Sequence, residues 1–127
     1  MITKKDIGNF GEKACTRFLR KKGFKIIGRN VRMGHLEIDI IASDKTHVVF
    51  VEVKTRNTDK SNILRPAAAV DSDKRTHLIS FAYSFVKSLP EKEKNKQPRI
   101  DVCEILVSGD KKLKVCDFNY IENAVTR

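Results

Sequence analysis

No apolar run in this chain approaches the ~18 residues that a membrane span requires. The opening stretch MITKKDIGNFGEKA carries charge but no apolar h-region, which argues against a secretory signal. Cysteine is scarce: Cys15, Cys103 and Cys116 are odd in number, far apart and free of any CxxC pair. They read as reduced thiols and not as a disulfide frame. A zinc site combining them with His35, His47 and His77 lacks any recognisable ligand spacing. No internal repeat and no second domain stands out. Membrane insertion, secretion and disulfide scaffolding fall away together, and a cytoplasmic location is the expectation.

What remains is a basic, core-forming chain. At 127 residues and 40% hydrophobic content it is long enough for a single domain, 1–127, with its own core. Lys and Arg total 26 against 16 acidic residues, a net charge of +10. Such an excess points to a polyanionic partner, with nucleic acid ahead of an anionic membrane surface.

Thr3 can cap a first helix over 4–22, whose stripe is Ile7, Phe10, Ala14 and Phe18 and whose stop is Gly23. A strand over 24–32 turns at Gly34 into the run EIDIIA, and the turn 43–46 leads to HVVFVEVKT. The segment 56–66 is polar and reads as a mobile loop; its Arg56, Lys60 and Arg65 could clamp a nucleic-acid backbone. Arg29 and Arg32 on the first strand add to these basic candidates. A second helix over 67–89 carries the stripe Leu78, Phe81, Phe85 and Leu89, with Lys74 one turn before it. A charged connector with little to pack follows at 90–98. Two strands, 100–107 and 112–118, then lead to a tail over 119–127 that is expected to form a short helix. The order αβββαββ predicts an α/β fold in three layers, with about five strands in one mixed sheet between two main helices.

The chemistry concentrates in Glu37–Arg56. Residues two apart on a strand share a face, so Glu37 points with Asp39 and Glu52 with Lys54. Carboxylates set among Ile, Val and Phe are costly to bury unless paired, hydrogen-bonded or bound to a metal. Phosphodiester hydrolysis needs an in-line water and charge stabilisation, and magnesium supplies the charge. That ion takes one or two carboxylates and retains waters. Asp39 and Glu52 are the candidate ligands, the Val53 carbonyl a third, and Lys54 the group that orients or deprotonates water. A bland alternative is a solvated edge face with cross-strand ion pairs.

The strings Glu37-Ile38-Asp39-Ile40-Ile41-Ala42 and Phe50-Val51-Glu52-Val53-Lys54-Thr55-Arg56 resemble the PD-(D/E)xK nuclease motif. The whole chain resembles the YraN family of small bacterial proteins, itself similar to archaeal Holliday junction resolvases. The likeness includes Gly8 to Ala14, Gly23-Phe24, Arg29 to Arg32, Lys74, Arg99 to Val102 and Ile121 to Ala124. It departs at Leu36, where the family has glycine; Gly34 stands two positions earlier. The resemblance implies a restriction-endonuclease-like fold in which Asp39, Glu52 and Lys54 are catalytic. It adds Glu12 to the metal set, gives Lys74 and Glu37 supporting places, and implies a homodimer. The expectation is a magnesium- or manganese-dependent endonuclease on branched or structured DNA; the alternative is a non-catalytic nucleic-acid-binding module on the same fold.

Overall fold

The computed structural model describes residues 2–58 and 72–125, and statements below concern those residues. Helix α1 spans Lys4–Lys21. It begins with a reciprocal cap: the Asp6 N–H donates to Thr3 Oγ1 at 3.1 Å and the Thr3 N–H donates to the Asp6 carboxylate at 2.8 Å. Such a cap contributes about 1 kcal/mol. Gly23, with φ of 95°, ends the helix in the left-handed region.

Five strands follow the expected order: β1 (Lys25–Met33), β2 (Leu36–Ser43), β3 (His47–Asn57), then after helix α2 (Ser72–Lys87) β4 (Gln97–Ser108) and β5 (Lys114–Val125). They form one sheet in the order β1-β2-β3-β4-β5. Only β3 and β4 run parallel, joined across α2; the other neighbours are antiparallel. The three-layer α/β arrangement read from the sequence is therefore the observed one.

Alternation along the strands divides the core in two. Val48 and Phe50 pack with Ile41, Ile100 and Val102 against Leu78, Phe81, Ala82 and Val86 of α2. Val49 and Val51 pack with Ile40, Ala42, Cys103 and Ile105 against Ile7, Ala14, Cys15 and Leu19 of α1. The α1 stripe is rotated from the expected one, because Phe10 and Phe18 are only partly buried while Gly11, Cys15 and Leu19 are covered. Gly11 explains the rotation. A Cβ there would lie 1.7 Å from Thr55 Oγ1, so α1 crosses β3 at close range through a bare glycine. Phe18 turns instead to Phe118 and Tyr120 on β5, with ring centroids 5.0 and 4.9 Å away.

Three local expectations need correction. The tail is not a helix: β5 runs unbroken to Val125, paired with β4 as far as Ile100. Cross-strand pairing outweighed the weak local signal there. The connector does pack, since the Ser43 hydroxyl donates to Glu93 at 2.8 Å and Lys96 donates to Ser43 at 2.9 Å. The Gln97 N–H donates to the Thr46 carbonyl at 2.9 Å, which starts β4 three residues early. Arg56 belongs to β3; the rest of the expected mobile loop, with Lys60 and Arg65, and the start of the second helix at 67–71 lie outside the described residues, apart from 57 and 58. No described helix is long and apolar enough to cross a membrane.

Candidate functional site

The site begins where a ladder ends. β2 and β3 pair from Ser43↔Val48 to Ile40↔Val51 and no further, although β2 extends back to Leu36 and β3 on to Asn57. On the other side of β2, the register runs Arg29↔Ile40 and then Val31↔Ile38, passing over Asp39 opposite Asn30. Asn30 has a left-handed φ of 50°. Asp39 is thus a paired position in neither ladder. Its carboxylate replaces the missing backbone partner, accepting the Val53 N–H at 2.8 Å. In an extended strand a residue's N–H and C=O leave on the same side. The Val53 carbonyl is therefore turned into the same gap between the strands.

Burial pushes the Asp39 carboxyl up to about 6; the Val53 hydrogen bond opposes this, and the neighbouring charges of Glu12, Glu52 and Glu37 add to it. Three carboxylates from three elements thus act on Asp39 here. Glu52, on the α2 face of β3, forms an ion pair with Lys74 of α2 through Oε1. Its other oxygen, Oε2, is buried and has no hydrogen-bond partner. Glu12, on α1, accepts from Arg29 of β1 at 3.3 Å, with its side chain 15% exposed. The two helices bring these residues to the gap from opposite faces of the sheet.

Those features fit a hard divalent cation. A buried carboxylate oxygen without a donor is costly unless something positive meets it. A carboxyl held up to about 6 by burial among like charges would be relieved by the same ion. Among the described residues no three His, Cys, Asp or Glu side chains are gathered into a ready cage. An octahedral ion that uses two carboxylates, a carbonyl and retained waters needs no such cage. Asp39, Glu52 and the Val53 carbonyl, with Glu12 beside them, would hold it.

The remaining candidates separate. Lys54 follows Glu52 by two on β3 and is half-buried. Glu37 is paired with Arg32 at 3.2 Å in the open, the side chains being 44% and 75% exposed. Glu37 also borders a cavity of about 430 Å³ with His35, Asp73, Lys74 and His77. Arg29 and Arg32 each hold a carboxylate of the chain itself, while Arg56 lines a second cleft against α1. Nothing is seen of Lys60 and Arg65, which fall outside the described residues.

Set beside known proteins, residues 11–105 match the model of "Uncharacterised protein family UPF0102". The chain belongs to the UPF0102 family. Over 123 residues it is 40% identical to a UPF0102 protein of Caldicellulosiruptor saccharolyticus, covering 97% of this chain and 99% of that one. A UPF0102 protein of Caldanaerobacter subterraneus is 38% identical, covering 97% of both chains. The YraN-type resemblance is borne out at this level. A solved structure, Pyrococcus furiosus SfsA in complex with Ca2+, matches at 16% identity with a TM-score of 0.39, covering 90% of this chain and 61% of that one.

Sequence reasoning missed two features of this UPF0102 chain. One is the part played by the Val53 N–H in fixing Asp39, since backbone donors carry no letter. The other is the network around Asp101, whose partners come from elsewhere in the chain. Arg99 donates through Nε at 2.9 Å, the Tyr120 hydroxyl donates at 2.6 Å and the Asn123 N–H at 2.8 Å. Asn123 presents that N–H from a left-handed φ of 53°. The strings RIDV and IENA were both part of the resemblance, and their meeting was the available signal.

Proposed function

We propose that this protein is a metal-dependent endonuclease that hydrolyses phosphodiester bonds of DNA, working at the open end of the β2–β3 ladder. The observation that carries the reading is the buried, partnerless Glu52 Oε2 in a cluster with Asp39, whose carboxyl is held up to about 6. Val53, next to Glu52 in the chain, bonds Asp39, and Lys54 follows Val53 directly. A bound magnesium or manganese ion would supply positive charge to the phosphate oxygens and lower the pKa of a water.

The chain's own groups have separable tasks. Asp39 and Glu52 would hold the cation, and the Val53 N–H keeps Asp39 from rotating away. Lys74 fixes Glu52 through Oε1 and leaves Oε2 for the ligand. Glu12, held by Arg29, adds negative charge at the edge of the gap. Lys54 orients the attacking water or takes its proton, and neutralises the charge that develops on phosphate. Branched or structured DNA as the substrate, and a homodimer as the working form, are carried over by analogy from the sequence resemblance to resolvases.

A second reading has its own observation. Lys74 and Arg29 already neutralise much of Glu52 and Glu12, as a module that binds nucleic acid without cutting it would allow. Cleavage of junction, flap and linear DNA with magnesium or manganese separates the two. The nuclease reading expects activity that is lost in Asp39→Ala and Glu52→Ala; equal activity in all three proteins would expose a contaminant. Salt-dependent binding with no cleavage on any substrate would leave the binding module.

A further inference from the structure

Gly8 and Gly11 lie three apart on α1, and only one of them is required by packing. Gly11 meets Thr55, as described above. Gly8 has no such neighbour: a Cβ built on it meets no atom within 4 Å, and its backbone is not left-handed. Glycine within a helix weakens it relative to almost any other residue. The fold gives no reason for glycine at this position.

A cleft beside it does. Lys4, Gly8 and Glu12 recur every fourth residue, which aligns them along one side of α1. With Val53, Lys54, Thr55 and Arg56 of β3 they border an open cleft of about 360 Å³. Glu12 and Val53 also belong to the carboxylate site, so the cleft leads directly into it. Lys4, Lys54 and Arg56 form no ion pair among the described residues, while Glu12 is already held by Arg29. The cleft is therefore open, bordered by three basic residues with no ion pair among the described residues, and continuous with the candidate reaction centre.

We infer that this cleft is the track for the sugar–phosphate backbone of a DNA strand. Gly8 is kept bare so that a phosphodiester can lie against α1, and Lys4 and Arg56 neutralise phosphates on either side. The choice of DNA rests on the nuclease reading; the cleft's shape and charge do not depend on metal or turnover.

The test is binding without metal. A fluorescein-labelled oligodeoxynucleotide, single-stranded in one arm and duplex in the other, is titrated in EDTA across a range of salt and followed by anisotropy. In Gly8→Leu the new side chain leans toward the N-terminus of α1, over Lys4, and fills the cleft. Its expected effect is a loss of affinity of at least about tenfold, with thermal stability equal to or above the parent's because a helix-weakening glycine is gone. Lys4→Ala with Arg56→Ala should lower the salt slope by about two, one for each phosphate that is no longer neutralised. Lys111→Ala with Lys112→Ala, at the exposed β4–β5 turn, should leave the mode of binding intact and serves as a charge control.

Full binding by a folded Gly8→Leu protein overturns the inference and leaves the nuclease reading standing. The converse result, a Gly8→Leu binding defect in a protein that cuts no substrate, supports the track and overturns the nuclease reading. Absence of binding by the parent even at low salt overturns the track.

Discussion

Asp101 on β4 and Glu52 on β3 sit one register position apart in the same parallel ladder, since Asp101 is the partner of Val51. Asp101 is fully buried and fully answered: both oxygens accept from Arg99, Tyr120 reaches Oδ2 and the Asn123 N–H reaches Oδ1. Glu52 is less buried, yet one of its oxygens has no donor among the described residues. The neighbouring strands show the same contrast. β4 is paired on both sides and its carboxylate ties β5 down, whereas β2 and β3 part and leave Asp39 to bond Val53 alone. A buried carboxylate that is satisfied serves the fold. One left partly unsatisfied lowers stability, and here that cost sits where a cation would remove it.

The contrast can be broken most forcefully at Asp101. Asp101→Ala leaves the Tyr120 hydroxyl without that acceptor and Arg99 with its long contact to the exposed Glu122, and should cost about 3–5 kcal/mol in urea unfolding. The Tyr120 hydroxyl, its acidity already weakened by burial beside that carboxylate, gains nothing in exchange. If Asp101→Ala instead unfolds at the parental urea concentration, the network is ornamental and the comparison fails.

Glu52→Gln tests the other side. Cleavage should fall by at least about a hundredfold through loss of a charged ligand. Folding free energy should shift by no more than about 1 kcal/mol, because the ion pair with Lys74 is partly exposed. A large loss of stability with unchanged cleavage would make Glu52 a structural twin of Asp101.

Asp39→Asn sharpens the difference through pH. The folded carboxyl titrates at about 6, above its ordinary value of 3.8. Below the lower value both states are protonated and nothing is lost. As pH rises between the two, the unfolded chain releases its proton first, so the native state is progressively disfavoured until the full cost is reached above about 6. Discounted for partial exposure, that cost is on the order of 2 kcal/mol. The Asn variant can still accept the Val53 N–H and should be more stable than the parent at pH 8, with the gap closing toward pH 4. Calorimetry on the parent should in turn show magnesium affinity rising with pH through the same window, because the cation displaces the proton. A stability gap that does not vary with pH would remove Asp39 from the strained group.

The smallest effect belongs to the solvent-facing pair. Arg32→Ala should change folding free energy by under ~1 kcal/mol and leave magnesium binding intact, given how exposed Arg32 and Glu37 are. Loss of metal binding in that variant would bring Glu37 back level with Asp39.

Much of the site was legible because its signals are local. The i, i+2 spacing placed Glu52 beside Lys54, and the apolar alternation placed both on strands. The motif already set Asp39 apart from Glu37; the ends of the ladders supply the physical reason, since one holds Val53 and the other faces Arg32 in water. The tail was misread for the same reason. Nothing in DFNYIENA alternates cleanly, and it is strand because Tyr120 and Asn123 bond a carboxylate on β4. Gly8 and Gly11 looked alike as letters and differ only in what a Cβ would meet.

The sequence by itself determined the order of the elements and the two-sided core and supplied the candidate carboxylates, because periodicity and spacing are properties of neighbours along the chain. Which carboxylate oxygens are answered and which are left waiting was decided only by the tertiary structure. Their partners, Lys74, Arg29 and the backbone of Val53 at the site and Tyr120 and Asn123 at Asp101, arrive from distant segments, and only the packed sheet brings them within reach.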